Sequence, residues 1–147
     1  VGGVEAEELF QRALDLLLTK DMAGFVDLFT PDCTVEFPFA EGTPARLSGR
    51  EELRAYLADY PARMDITGFP SVVVHRTTDP ATIVVEFSAH GRTVATGRPY
   101  EMRYVSVFVV RDGAFAELRD YWSPVRAARA TGALRELADE LVGEVRA

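Results

Sequence analysis

Val105-Ser106-Val107-Phe108-Val109-Val110-Arg111-Asp112-Gly113-Ala114-Phe115-Ala116-Glu117-Leu118-Arg119-Asp120-Tyr121-Trp122 is the stretch on which the architecture turns. Two runs rich in β-branched and aromatic residues flank an Asp-Gly pair, the strongest short-range signal for a two-residue hairpin. Reading outward, Phe69–Arg76, Thr82–Ala89 and Thr93–Val110 have the same composition and are separated by Asp79-Pro80 and His90-Gly91, so an antiparallel meander is predicted. Thr93–Val110 is too long for one regular strand and contains Gly97 and Pro99, which predicts a bulge or bend there.

Before the meander the apolar period is helical. Leu9, Phe10, Ala13, Leu14, Leu16, Leu17 and Leu18 predict a helix over Glu5–Leu18 with one wide buried face. Asp21 is positioned to cap a short helix through Phe29, which Thr30-Pro31-Asp32 stops before a strand at Cys33–Phe37. Residues 38–49, with Pro38, Gly42, Pro44, Ser48 and Gly49, read as a loop, and a third helix is predicted from about Arg50 to Tyr60, ended by Pro61. Ser123-Pro124 reads as an N-cap with proline at the first helical position of a C-terminal helix. Leu134, Leu137, Leu141 and Val145 would share a stripe of that helix, and Gly132 would interrupt it.

The 147 residues suit one domain, residues 1–147, with a core from about 9 to 124 and a helical tail over 125–147. Sixteen Lys and Arg against twenty-three Asp and Glu give a net charge of −7, which argues against nucleic acid or an anionic membrane surface as partner. No apolar run approaches the roughly 18–20 residues of a membrane span, and the Val1-Gly2-Gly3 start lacks a signal-peptide layout, so a cytoplasmic location is expected. Cys33 has no partner for a bridge and reads as a small buried hydrophobe. His75 and His90 form no ligand cluster and neither shows a paired acid at a telling spacing; no metal and no cofactor are expected.

Four segments in order, Leu28–Phe39, Gly49-Arg50-Glu51, Arg111-Asp112-Gly113 and Asp120-Tyr121-Trp122-Ser123-Pro124, resemble the SnoaL-like branch of the nuclear transport factor 2-like superfamily, relatives of ketosteroid isomerase. The resemblance implies an α+β fold, a conical barrel of a strongly curved, mainly antiparallel sheet packed on three helices, with a C-terminal tail helix. It further implies an apolar cavity on the concave face and a homodimer through the convex face. The superfamily hosts isomerases, cyclases, dehydratases and carriers, so the chemistry must be read from the residues. Ketosteroid isomerase pairs an Asp base with a Tyr and a protonated Asp. Aligned to that pattern, this chain has Phe37, Ala13 and Ser106, none of which can do the original job, so a true ketosteroid isomerase is not expected.

Taking Ser106 as inward, the period of two turns Tyr100, Met102 and Tyr104 the same way; the resemblance turns Trp122 inward, and Asp120 and Leu118 follow. Val85, Phe87 and Ala89 would face the cavity, with Glu86, Ser88 and His90 on the convex side, and Tyr56 and Tyr60 would line the cavity from the third helix. The candidate catalytic set is Asp120 for proton transfer, with Ser106 and Tyr104 as donors to a substrate oxygen; Phe37, Tyr56, Tyr60, Val85, Phe87, Met102 and Trp122 are candidate ligand contacts. An equally ordinary reading makes Asp120 an ion-pair partner of Arg119, Arg126 or Arg129, and makes the aromatics mere packing. Three functions remain open: a cofactor-independent cyclase, isomerase or dehydratase acting on a polyketide- or isoprenoid-like hydrophobic molecule, a non-catalytic carrier with the same pocket, and a dimeric interaction module with a filled cavity.

Overall fold

A computed structural model describes residues 2–41 and 44–146. Gly42 of the expected loop lies outside them, as does Val1, and the side chain of Val145 is likewise not described. The elements run α1 (Gly2–Leu18), α2 (Met22–Val26), β1 (Phe29–Glu36), β2 (Arg46–Ser48), α3 (Arg50–Leu57), α4 (Tyr60–Arg63), β3 (Met64–Gly68), β4 (Val72–Arg76), β5 (Thr82–Thr93), β6 (Pro99–Arg111), β7 (Ala114–Tyr121), α5 (Pro124–Thr131) and α6 (Leu134–Arg146). Among the described residues the strands form one seven-stranded sheet, β2-β1-β7-β6-β5-β3, with β4 also on β5. All pairings are antiparallel except β1 with β7. The sheet keeps free edges, so its curl is not closed into a complete barrel. No described helix is long and apolar enough to cross a membrane.

Asp112 and Gly113 both have positive φ, 53° and 77°, the signature of a type I′ hairpin whose twist matches the strands it joins. Ser123 caps α5 by accepting the Arg126 N–H, Pro124 opens the helix, and Gly132 ends it in the left-handed conformation. The tail is therefore two helices, as Gly132 foretold. Asp21 caps α2 by accepting the Gly24 N–H, but α2 stops at Val26 rather than Phe29. β1 begins at Phe29 and runs through Pro31, which its partner tolerates through a register shift between Phe29 and Thr34.

Three expectations are corrected. The 38–49 segment contains a short strand, β2, that pairs with β1 through Leu47 opposite Val35. Pro61 does not end the third helix: α3 stops at Leu57, and Pro61 sits in the first turn of a separate α4, where its missing N–H costs nothing. Nor does His90-Gly91 separate strands. Both lie within β5, which continues to Thr93, and the turn comes at residues 94–98 with Gly97 at φ 68°. The reason is β3, which the composition does not announce. It crosses so close to β5 that a β-carbon at residue 91 would run into the backbone of Asp65 and Ile66.

Packing fills one end of the concave face and leaves the other open. Helix α1 lies across β3, β5 and β6. Phe10 meets Phe87 and Phe108, while Phe29 and Phe108 both meet Phe115. A second cluster, Met64, Ile66, Ala89, Tyr100 and Met102, packs under α5 through Ala127 and Ala130. Gly91→Ala is expected to destabilise the fold by about 2 kcal/mol or more, through backbone displacement at β3. Urea denaturation checks it; an unchanged midpoint would mean that β3 does not lie where described.

Candidate functional site

Strand register builds the site in rows. Ser106 stands directly opposite Val85 on β5 and Asp120 on β7, and Tyr104 stands opposite Phe87. Phe87 and Tyr104 stack with ring centroids 4.9 Å apart. On β1, Val35 pairs with Leu118 and Glu36 with Arg119, which brings Phe37 alongside Asp120. From the helices, Tyr56 stacks on Phe37 at 5.2 Å, and Phe37 in turn meets Trp122 at 6.2 Å.

The concave face borders a cavity of about 230 Å³. Of the sequence-predicted set, Asp120, Ser106, Tyr104, Phe37, Tyr56, Tyr60, Phe87, Met102 and Trp122 all line it. Val85 does not. It shares their face of the sheet but is fully buried in the core, because strand parity specifies a face and not how deep the helix above covers it. Helix α1 contributes Phe10, Ala13, Leu14 and Leu17 and α5 contributes Ala127, none of which was singled out as a contact; the apolar stripe of α1 was readable, but not which of its residues would stay uncovered. Tyr100, assigned only a facing from the sequence, proves to be paired through its hydroxyl with that of Tyr104.

The central contact is Ser106 Oγ donating to Asp120 Oδ1 at 2.7 Å, with Ser106 only 1 % exposed. A serine hydroxyl has one proton. Given to Asp120, it is not available to a substrate oxygen, so Ser106 positions the carboxylate, and free donors must come from the tyrosines. The pocket raises the Asp120 pKa from 3.8 to about 6; burial among apolar groups disfavours its charge, and the Ser106 bond offsets part of that. Burial also lifts Tyr104 well above the usual phenol range, Tyr100 to about 12, and Tyr56 and Tyr60 upward, so all four remain neutral donors near neutrality.

The ion-pair reading of Asp120 fails on geometry. Arg119 points away and approaches Glu117 at 3.9 Å, Arg126 and Arg129 are exposed, and among the described residues no cationic nitrogen lies within 4 Å of Asp120. Both histidines, by contrast, do have acidic partners, contrary to expectation. On the convex face, His75 Nε2 is 2.7 Å from Glu86 and His90 Nε2 is 3.6 Å from Glu101; the acids come from neighbouring strands, which linear spacing conceals. Cys33 is buried and unpaired as a small hydrophobe would be. Among the described residues no group of three or more His, Cys, Asp and Glu is placed to hold a metal ion.

Comparison with known proteins converges on one family. The sequence model of the SnoaL-like domain matches residues 10–118. The uncharacterised protein YesE of Bacillus subtilis is 35 % identical over 129 residues, covering 87 % of this chain and 88 % of the relative. An uncharacterised PhzA/B-like protein of Pseudomonas aeruginosa is 33 % identical over 141 residues, covering 95 % and 99 %. A crystal structure of a proposed isomerase from Bacillus subtilis superposes with a TM-score of 0.85 at 35 % identity, covering 88 % of this chain and 94 % of that one.

A pKa raised from 3.8 to about 6 means that the folded state holds its proton more tightly than the unfolded one, by roughly 3 kcal/mol. The benefit of protonation is complete below the unfolded value and gone once pH passes through about 6. Asp120→Asn is therefore expected to be more stable than the parent near pH 8, by about 1–3 kcal/mol, with the difference shrinking to nothing near pH 4. Urea denaturation of both proteins at the two pH values checks this; a variant that is less stable near pH 8 would contradict it.

Proposed function

The chain belongs to the SnoaL-like domain family, and we propose that within it this protein is a cofactor-independent acid–base enzyme, an isomerase, cyclase or dehydratase. Its substrate would be a hydrophobic small molecule, polyketide- or isoprenoid-like. The observation that carries this reading is a carboxylate with no cationic partner among the described residues, held by one hydroxyl in an aromatic cavity whose burial pushes its pKa up to about 6. A group with that pKa can both take and return a proton near neutrality, which is what shifting a double bond or closing a ring requires. Membership of a family whose relatives include a proposed isomerase supports the same class of chemistry.

In this mechanism Asp120 abstracts a proton from carbon, and Ser106, still donating to Oδ1, fixes the direction of the free oxygen. In the Tyr100–Tyr104 pair one hydroxyl donates to the other, and the acceptor's own proton is left to hold the substrate oxygen as charge develops on it. The apolar walls supply binding through burial, and the few polar tips fix orientation.

A homodimer through the convex face belongs to the same proposal. There Val73 and Val105 are 47 % and 39 % exposed beside a hollow of about 430 Å³, at whose rim Phe39, 58 % exposed, sets its ring against Tyr121. An apolar patch of this kind is what a second copy would cover.

Screening polyketide- and isoprenoid-like compounds by mass spectrometry for conversion tests the catalytic reading. Asp120→Asn is expected to lose about 10²–10⁴-fold in turnover while still binding, and the parent rate is expected to rise as pH passes through about 6. Equal turnover by the variant, or binding of a compound always recovered unchanged, would favour a carrier. For the dimer, Val105→Glu is expected to sediment as a monomer while the parent sediments as a dimer; a monomeric parent would remove the interface.

A further inference from the structure

The walls around Asp120 carry a consequence beyond proton transfer. Trp122 follows it by two residues, just past the end of β7, and meets Phe37, on which Tyr56 stacks; all four residues line the one cavity. Three aromatic rings thus share one concave pocket with a single carboxylate, whose field reaches Tyr56. Among the described residues lining that cavity there is no Lys, Arg or His. The cation whose field reaches Tyr56 and Tyr60 is Arg63, whose side chain is exposed and pairs with Asp59 at 3.3 Å.

The electrostatic sense of such a corner is one-sided. An aromatic ring presents a negative face, which attracts a positive charge lying within about 6 Å of its centroid, and more strongly where water is excluded. Ionised above its raised pKa, the carboxylate adds a negative charge that no cation among the described lining residues offsets. Phosphates and carboxylates meet repulsion here and find no cationic clamp. A compact alkylated ammonium group is the ligand chemistry that uses both elements: its methyl groups pack on the rings and its diffuse charge faces Asp120. The tyrosine hydroxyls further along β6 are placed to meet oxygen atoms on the remainder of the same molecule.

We propose that the corner formed by Asp120, Phe37, Tyr56 and Trp122 is a recognition site for an alkylammonium group, so that the natural ligand carries a tertiary or quaternary amine. The proposal concerns binding. It shares Asp120 with the acid–base reading but does not require that any reaction occur.

Titration calorimetry of the full chain near pH 8, with choline and with its uncharged isostere 3,3-dimethylbutan-1-ol, separates charge from shape. Choline is expected to bind about tenfold or more tightly than the isostere. Asp120→Asn and Trp122→Leu, each confirmed as folded by circular dichroism, are expected to abolish the preference and to reduce it, respectively. Equal affinity for the two compounds, no detectable binding of choline, or a preference that survives in Asp120→Asn would overturn the proposal. Should Trp122→Leu not fold, Phe37→Leu serves the same purpose. A preference for choline together with undiminished turnover in Asp120→Asn would sink the acid–base reading alone. Loss of turnover in that variant with no preference for choline would sink this one alone.

Discussion

A carboxylate kept inside an apolar pocket by a single hydroxyl is the constraint around which the concave side of this molecule is organised. A shift of the Asp120 pKa from 3.8 to about 6 corresponds to roughly 3 kcal/mol of disfavoured charge in the folded state. That is a sizeable share of the 5–15 kcal/mol by which a domain is typically stable. A leucine in its place would avoid the cost. The strands tolerate the carboxylate because Ser106 stands directly across the β6–β7 ladder and offers its only proton at 2.7 Å. Polar groups arranged at the expense of stability are characteristic of sites selected for chemistry or binding rather than for packing.

The remainder of the fold keeps that corner both rigid and hollow. Phe10, Phe29, Phe108 and Phe115 close one end of the concave face in a run of tilted aromatic contacts, so the sheet beneath is held from within. At the other end the sheet meets α5 through the alanines at 127 and 130, beside the rings of Tyr60, Phe69 and Trp122. The capped start of α5 at Ser123 and its left-handed end at Gly132 fix how far this roof extends.

Much of this was legible in the chain, and most of what was not depends on contacts between elements. Strand parity placed Tyr100, Met102, Tyr104 and Ser106 on one face of β6, and all four border the cavity. The Asp112-Gly113 hairpin and the Ser123-Pro124 cap are governed by local backbone chemistry, which sequence reports directly. What sequence concealed were effects of one element on another. Gly91 reads as a turn residue because composition does not announce β3, and only the backbone of β3 explains why no side chain fits there. The acidic partners of His75 and His90 come from across ladders, and Val85 is withdrawn from the cavity by the helix above it rather than by its own parity. Ser106 was readable as inward but not as already engaged, since the identity of its acceptor depends on the register of β7.

Proton transfer and cation binding both depend on the ionisation of Asp120, and that state can be observed directly. Carbon-detected nuclear magnetic resonance of the Asp120 carboxyl, followed through a pH titration of the folded protein, reads its ionisation without recourse to any substrate. A midpoint near 6 is expected. A midpoint close to the ordinary value for a solvated aspartate, about 3.9, would show a carboxylate in contact with water and contradict the enclosed site.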